Sequence, residues 1–127
     1  MIYFTIYEQI LYICFTIYII MSKLYLGEFE EMVLTMVAVL GEDAYGNPIV
    51  QEFQNRLGRE VSLSAVHLTL YRLEDKGLVA SRLGGSTQER GGRRKRMYTI
   101  SSAGVELLRA MKEARSGLWK FIPTLNS

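Results

Sequence analysis

Residues 87–104 read TQERGGRRKRMYTISSAG. Gly91 and Gly92 stand directly before four consecutive cations, Arg93 to Arg96, and the cations run into a short apolar alternation from Met97 to Ile100. Alternation of this kind suits a strand, and glycines let a chain reverse tightly. Upstream, Leu78 to Leu83 is also short and partly alternating. The two segments can therefore pair as a hairpin across a loop from Gly84 to Arg96. Downstream, Ser101 is placed to open a helix in which Leu107, Met111, Ala114 and Leu118 form a heptad-like stripe.

Three more helices fit the chain before the hairpin. From Glu28, the residues Phe29, Met32, Val33, Met36, Val37 and Leu40 recur at three- and four-residue steps. Glu28, Glu30 and Glu31 occupy the first turn, where the helix dipole favours negative charge, and Gly41 ends the run. After the turn GEDAYGNP, with Asn47-Pro48 as its cap, a shorter helix carries Ile49, Val50, Phe53 and Leu57 and stops at Gly58. The third lies in REVSLSAVHLTLYRLEDKGLV, residues 59–79, with Ser62 as N-cap and Gly77 as terminator. Leu63, Val66, Leu70 and Leu73 share its apolar face.

The order is helix, helix, helix, strand, glycine-bearing loop, strand, helix. That makes the fold class mainly α with a small β-hairpin: a winged helix-turn-helix followed by a C-terminal helix. The stretch 84–96 is then the tip and flank of the wing. A wing stands at the edge of its domain, where phosphates can reach its cations.

Bulk composition bounds the rest. With 127 residues, 49% of them apolar, the chain suits one folded domain and not a disordered tail. The net charge of +2 names no partner, but five of the 15 cations fall between Arg90 and Arg96. A local cluster on a near-neutral body implies an anionic partner met at one place. Cys14 and His67 are the single cysteine and the single histidine, which excludes an intrachain disulfide and a Cys/His zinc site within one chain. Neither a metal nor a cofactor is expected. GGSTQERGG lacks the Gly-Lys-Ser/Thr ending of a phosphate loop, and a serine–histidine–acid triad would have to use His67, on a helix whose neighbours serve packing, so the sequence gives no support for an enzyme.

Residues 1–20, MIYFTIYEQILYICFTIYII, stand apart, without Gly, Ala, Pro, Lys or Arg. Three readings are open. Their composition matches translation of an AT-rich spacer, with Met21 as the start. Their length matches a membrane anchor, against which Glu8 counts. They could also form an extra helix or strand. The membrane is a partner only if this segment is real and inserted. The working units are then an apolar extension at 1–20, the winged helix at 21–104, and a helix with its tail at 105–127, the whole acting in the cytoplasm.

LGEFEEMVL, AYGNPIVQEF, VSLSAVHLTLYRLEDKGLV and GGRRKRMYTISSAG together resemble the PadR family of bacterial transcriptional regulators, over nearly all of Leu26 to Trp119. The chain departs from many relatives at His67 and ends soon after one C-terminal helix, as short-form members do. The resemblance implies a homodimeric repressor of a double-stranded DNA operator, released by a small aromatic or amphiphilic effector. The third helix, 62–76, would enter the major groove, the wing, 84–96, would meet backbone or minor groove, and the last helix would build the dimer. Leu107, Met111, Ala114, Leu118 and Trp119 are the candidates for the dimer face or effector pocket.

The DNA-contacting candidates follow from angle. At about 100° per residue, with Leu63, Val66, Leu70 and Leu73 inward, Ser64, Ala65, Leu68, Tyr71 and Arg72 face outward. Leu68 suits a thymine methyl, while Arg72 or a hydroxyl of Ser62 or Ser64 suits a base or phosphate. Arg72 could instead pair with Glu74 or Asp75. His67, at the rim, could pack or meet a phosphate. In the wing, Arg94 and Arg96 should lie on the side of Tyr98 and Ile100, with Arg93 and Lys95 opposite. A membrane-tethered regulator and a winged helix that binds an acidic protein are the alternatives.

Overall fold

The computed structural model describes residues 6–14, 26–86 and 94–125. Helix α1 spans residues 6–14 and every residue of it is exposed, Ile6, Ile10 and Leu11 included. The rest of the expected extension lies outside the described residues. Among the described residues, no helix is long and apolar enough to cross a membrane.

Helices α2 (Glu28–Leu40), α3 (Gly46–Leu57) and α4 (Leu63–Asp75) precede strands β1 (Val79–Ser86) and β2 (Arg94–Ile100), and α5 (Ser102–Trp119) follows them. The core forms where three helical stripes meet the base of the hairpin. Val33, Leu34, Met36 and Val37 come from α2, Ile49 and Phe53 from α3, and Val66, Leu70 and Leu73 from α4. Leu78, Val79 and Tyr98 close it from the hairpin.

The ends of α4 and the start of α5 follow the sequence. Ser62 caps α4, its Oγ accepting from the Ala65 N–H at 3.1 Å, and Ser101 caps α5 by accepting from the Gly104 N–H at 3.1 Å. Gly77 takes φ +75°, a left-handed conformation that a side chain would strain, so the chain can leave α4 and enter β1 at once. Ser101 also ties the two helices together. Its Oγ donates to the Gly77 carbonyl at 2.7 Å and its N–H donates to the Leu78 carbonyl at 2.9 Å. Gly104 sits over the same point, where a Cβ would collide with the Leu78 carbonyl oxygen.

Three details differ from the sequence reading. The inward face of α4 is Val66, Thr69, Leu70 and Leu73, whereas Leu63 is 38% exposed. Leu63 opens the helix at the edge of the core, beside Gly46 at the start of α3. Thr69 is tolerated inside because its Oγ1 donates to the Ala65 carbonyl at 2.8 Å. The third difference concerns the wing. The hairpin reaches Ser86 and resumes at Arg94, so Arg94, Lys95 and Arg96 lie in a strand and the stretch between strands is 87–93. Pairing runs in register from Val79↔Ile100 to Leu83↔Arg96, then slips by one residue before Ser86↔Arg94. Such a bulge lets a strand continue through glycines. The Tyr98 N–H also donates to the Ala44 carbonyl at 2.8 Å, which fastens β2 to the turn before α3.

Candidate nucleic-acid interface

On the outer face of α4, Ser64, His67, Leu68, Tyr71 and Arg72 are all exposed, Leu68 by 52% and Tyr71 by 70%. Ala65 is half-buried, a consequence of the rotation that takes Thr69 into the core. The Ser62 Oγ is engaged as the cap and lies 3.4 Å from the Ser64 Oγ. Among the described residues no ion pair involves Arg72, so the pairing with Glu74 or Asp75 is not made. A large apolar surface and a free guanidinium thus stand on one helical face, a pairing of chemistries suited to base edges.

The wing brings its cations to the same end of the molecule. Tyr98 is buried at 7% exposure and Ile100 is half-buried, and Arg94 and Arg96 share the Tyr98 side of β2, as strand alternation requires. Lys95 is held differently, its ammonium donating to the Tyr45 hydroxyl at 3.2 Å and lying 4.5 Å from the ring centroid. Arg96 donates to the Ser81 Oγ at 2.8 Å, and that hydroxyl donates to Glu74 Oε1 at 2.9 Å. This chain of bonds couples the wing to the C-terminal end of α4. Arg93 lies outside the described residues.

Between the wing and the two helices runs a cleft of about 300 Å³. The first turn of α3, His67 of α4, and Arg94, Arg96 and Tyr98 of β2 line it. Its walls are close: a Cβ on Gly46 would strike His67 Nε2 and lie 2.8 Å from Leu63 Cδ1. His67 therefore packs against α3 while its ring edge stays exposed. Burial pushes the Tyr98 hydroxyl up from the usual phenol range, beyond the opposing pull of Arg96. Tyr98 is a neutral donor in this cleft.

Sequence reasoning missed Tyr45 and Gly46, which GEDAYGNP presents only as a turn, and the Glu74–Ser81–Arg96 relay, which joins one helix to both strands. Asn47 was legible as a helix-start residue but does not cap: α3 begins at Gly46 with no side-chain cap.

The residues proposed for a dimer or effector face divide into two groups. Leu107 and Met111 are half-buried against the chain's own core. Ala114, Leu118 and Trp119 are exposed, and Phe121 continues that surface at 81% exposure. An Arg115–Glu31 ion pair holds α5 against α2 beside them.

Comparison with known proteins gives the architecture a context. No sequence match is found among curated proteins. Among solved structures, a PadR-like transcription factor from Bacteroides fragilis is similar, with 21% identity over 83% of this chain and 93% of that one, and a TM-score of 0.64. A PadR-family regulator from Eggerthella lenta shows 20% identity, covers 97% of both chains and gives a TM-score of 0.59. Bacillus subtilis PadR, solved in complex with operator DNA, shows 23% identity over 66% of this chain and 46% of that one, with a TM-score of 0.58. The model of the transcriptional regulator PadR-like family matches residues 33–121, which span α2 from its second turn through α5. Regulators, not enzymes, make up that family, and this chain belongs to it: it is a PadR-like transcriptional regulator.

Proposed function

We propose that the chain is a sequence-specific DNA-binding repressor that works as a homodimer in the cytoplasm. The observation that carries this reading is the exposed face of α4, with Leu68, Tyr71 and Arg72, set beside the basic strand β2. Helix α4 enters the major groove, where Ser64, Leu68 and Arg72 meet base edges. The wing cations Arg93 to Arg96 meet backbone or minor groove. Association through α5 would cover Leu118 and Trp119 and set two α4 helices about 34 Å apart, one turn of DNA. A flat aromatic or amphiphilic molecule at that junction would release the operator. Bacillus subtilis PadR, of related fold, was solved on operator DNA, which supports the reading.

The test is fluorescence anisotropy on DNA from upstream of the protein's own gene, with a scrambled duplex as control, across a salt series. Tight binding to the natural site with weaker, salt-steep binding to the scramble is expected. Equal and weak binding to both would remove sequence recognition and leave only a basic surface.

A further inference from the structure

We infer that the cleft between α3, α4 and β2 is a seat for one phosphate diester of the DNA backbone, held by Tyr98 together with Arg94, His67 and the first turn of α3. This deepens the DNA-binding reading and rests on it. The assignment starts from an unsatisfied group. Tyr98 is 7% exposed and borders both this cleft and the adjoining groove. Its backbone is fixed by the bond to Ala44, yet among the described residues its hydroxyl has no hydrogen-bond partner. A buried hydroxyl without a partner is costly, and a ligand oxygen would satisfy it.

The surroundings specify an anion. Helix α3 begins here without a side-chain cap, and Pro48 has no N–H, so the free amides of its first turn belong to Gly46 and Asn47. Arg94 enters no ion pair among the described residues, and Arg96 reaches the cleft from its anchor on Ser81. No carboxylate lines this cleft; Glu74 and Asp75 line the adjoining groove, which shares His67, Arg96 and Tyr98 with it. The hydroxyl is protonated at neutral pH, as any ordinary phenol is, and burial only strengthens that, so towards an oxyanion it donates. Since donors come from both the helical part and the wing, one phosphate would clamp the two together.

The experiment is a scan in which each backbone phosphate of the bound duplex is replaced in turn by a neutral methylphosphonate. Full-length wild type is compared with Tyr98→Phe, which keeps the ring and loses only the unpartnered hydroxyl. Unchanged melting temperature for Tyr98→Phe is the check on folding. Wild type should lose about tenfold in affinity at one position per half-site, and Tyr98→Phe should bind unmodified DNA about tenfold more weakly and lose little more at that same position. A Tyr98→Phe profile that matches wild type at every position would overturn the seat while leaving DNA recognition intact. If wild type prefers no duplex over the scramble, the regulator reading falls instead, and inorganic phosphate becomes the probe. A rise in melting temperature with phosphate over chloride at equal ionic strength, absent in Tyr98→Phe, would then sustain the seat. No difference between the two proteins would overturn it.

Discussion

Helices α4 and α5 bury their apolar residues to very different extents. Helix α4 has 13 residues and buries four of them within its own chain, which leaves Leu68, Tyr71 and Arg72 together on its outer face. Helix α5 has 18 residues and buries only Gly104, while Leu118 and Trp119 near its end remain 71% and 56% exposed. A helix whose apolar stripe is satisfied at home is fixed as a platform for display. One whose stripe runs past the edge of its own domain has surface left for association.

The sharpest way to break this comparison is to make the same deletion in both helices. Leu70→Ala should lower the unfolding free energy by about 3 kcal/mol, because Leu70 is fully buried. Leu118→Ala should change monomer stability by less than about 0.5 kcal/mol, read by urea denaturation of dilute protein, yet weaken self-association in sedimentation equilibrium. Equal losses of stability would erase the distinction. Gly104→Ala comes next, with an expected loss of about 2 kcal/mol in thermal unfolding, since the new Cβ would meet backbone rather than a flexible side chain. A tolerated alanine would mean that the start of α5 is not pinned.

Two smaller effects sharpen the division within the end proposed to face DNA. Arg94→Ala should weaken binding to every duplex and reduce the salt slope by about one. Leu68→Ala should leave that slope intact and reduce discrimination at one base pair by about 1 kcal/mol. If both substitutions changed slope and preference alike, base reading and backbone contact would not be separate jobs. The smallest expected change is for Ser81→Ala, which frees Arg96 from its anchor and should cost about threefold in affinity by anisotropy, with unchanged thermal stability.

Much of the architecture was legible because its signals are local. Ser62, Gly77 and Ser101 act at helix ends through their own backbone neighbourhoods, and the alternation around Tyr98 sets the face of β2 whatever it pairs with. The length of the wing strands was not legible, since Gly84 and Arg94 to Arg96 have poor strand character alone and are held by cross-strand pairing. The cleft was hidden for a related reason. Tyr45 looks ordinary in sequence, and although His67 was legible as a rim residue and Tyr98 as an inward strand residue, only the close approach of α3 to α4 at Gly46 brings the three together. The face of α5 was half legible: periodicity marks Leu107, Met111, Ala114 and Leu118 as one stripe, but cannot say where the chain's own core ends along it.

The junction at Ser101 has a consequence for measurement of distance. The last turn of α4 and the first turn of α5 are bolted to each other by the two hydrogen bonds from Ser101 to Gly77 and Leu78. If two copies join through α5, the separation of their α4 helices is set by the angle at that joint, as the span of a pair of dividers is set at the pivot. The protein would then carry a ruler of fixed gauge, and a few degrees of tilt between paired α5 helices would be enough to put both points off the mark.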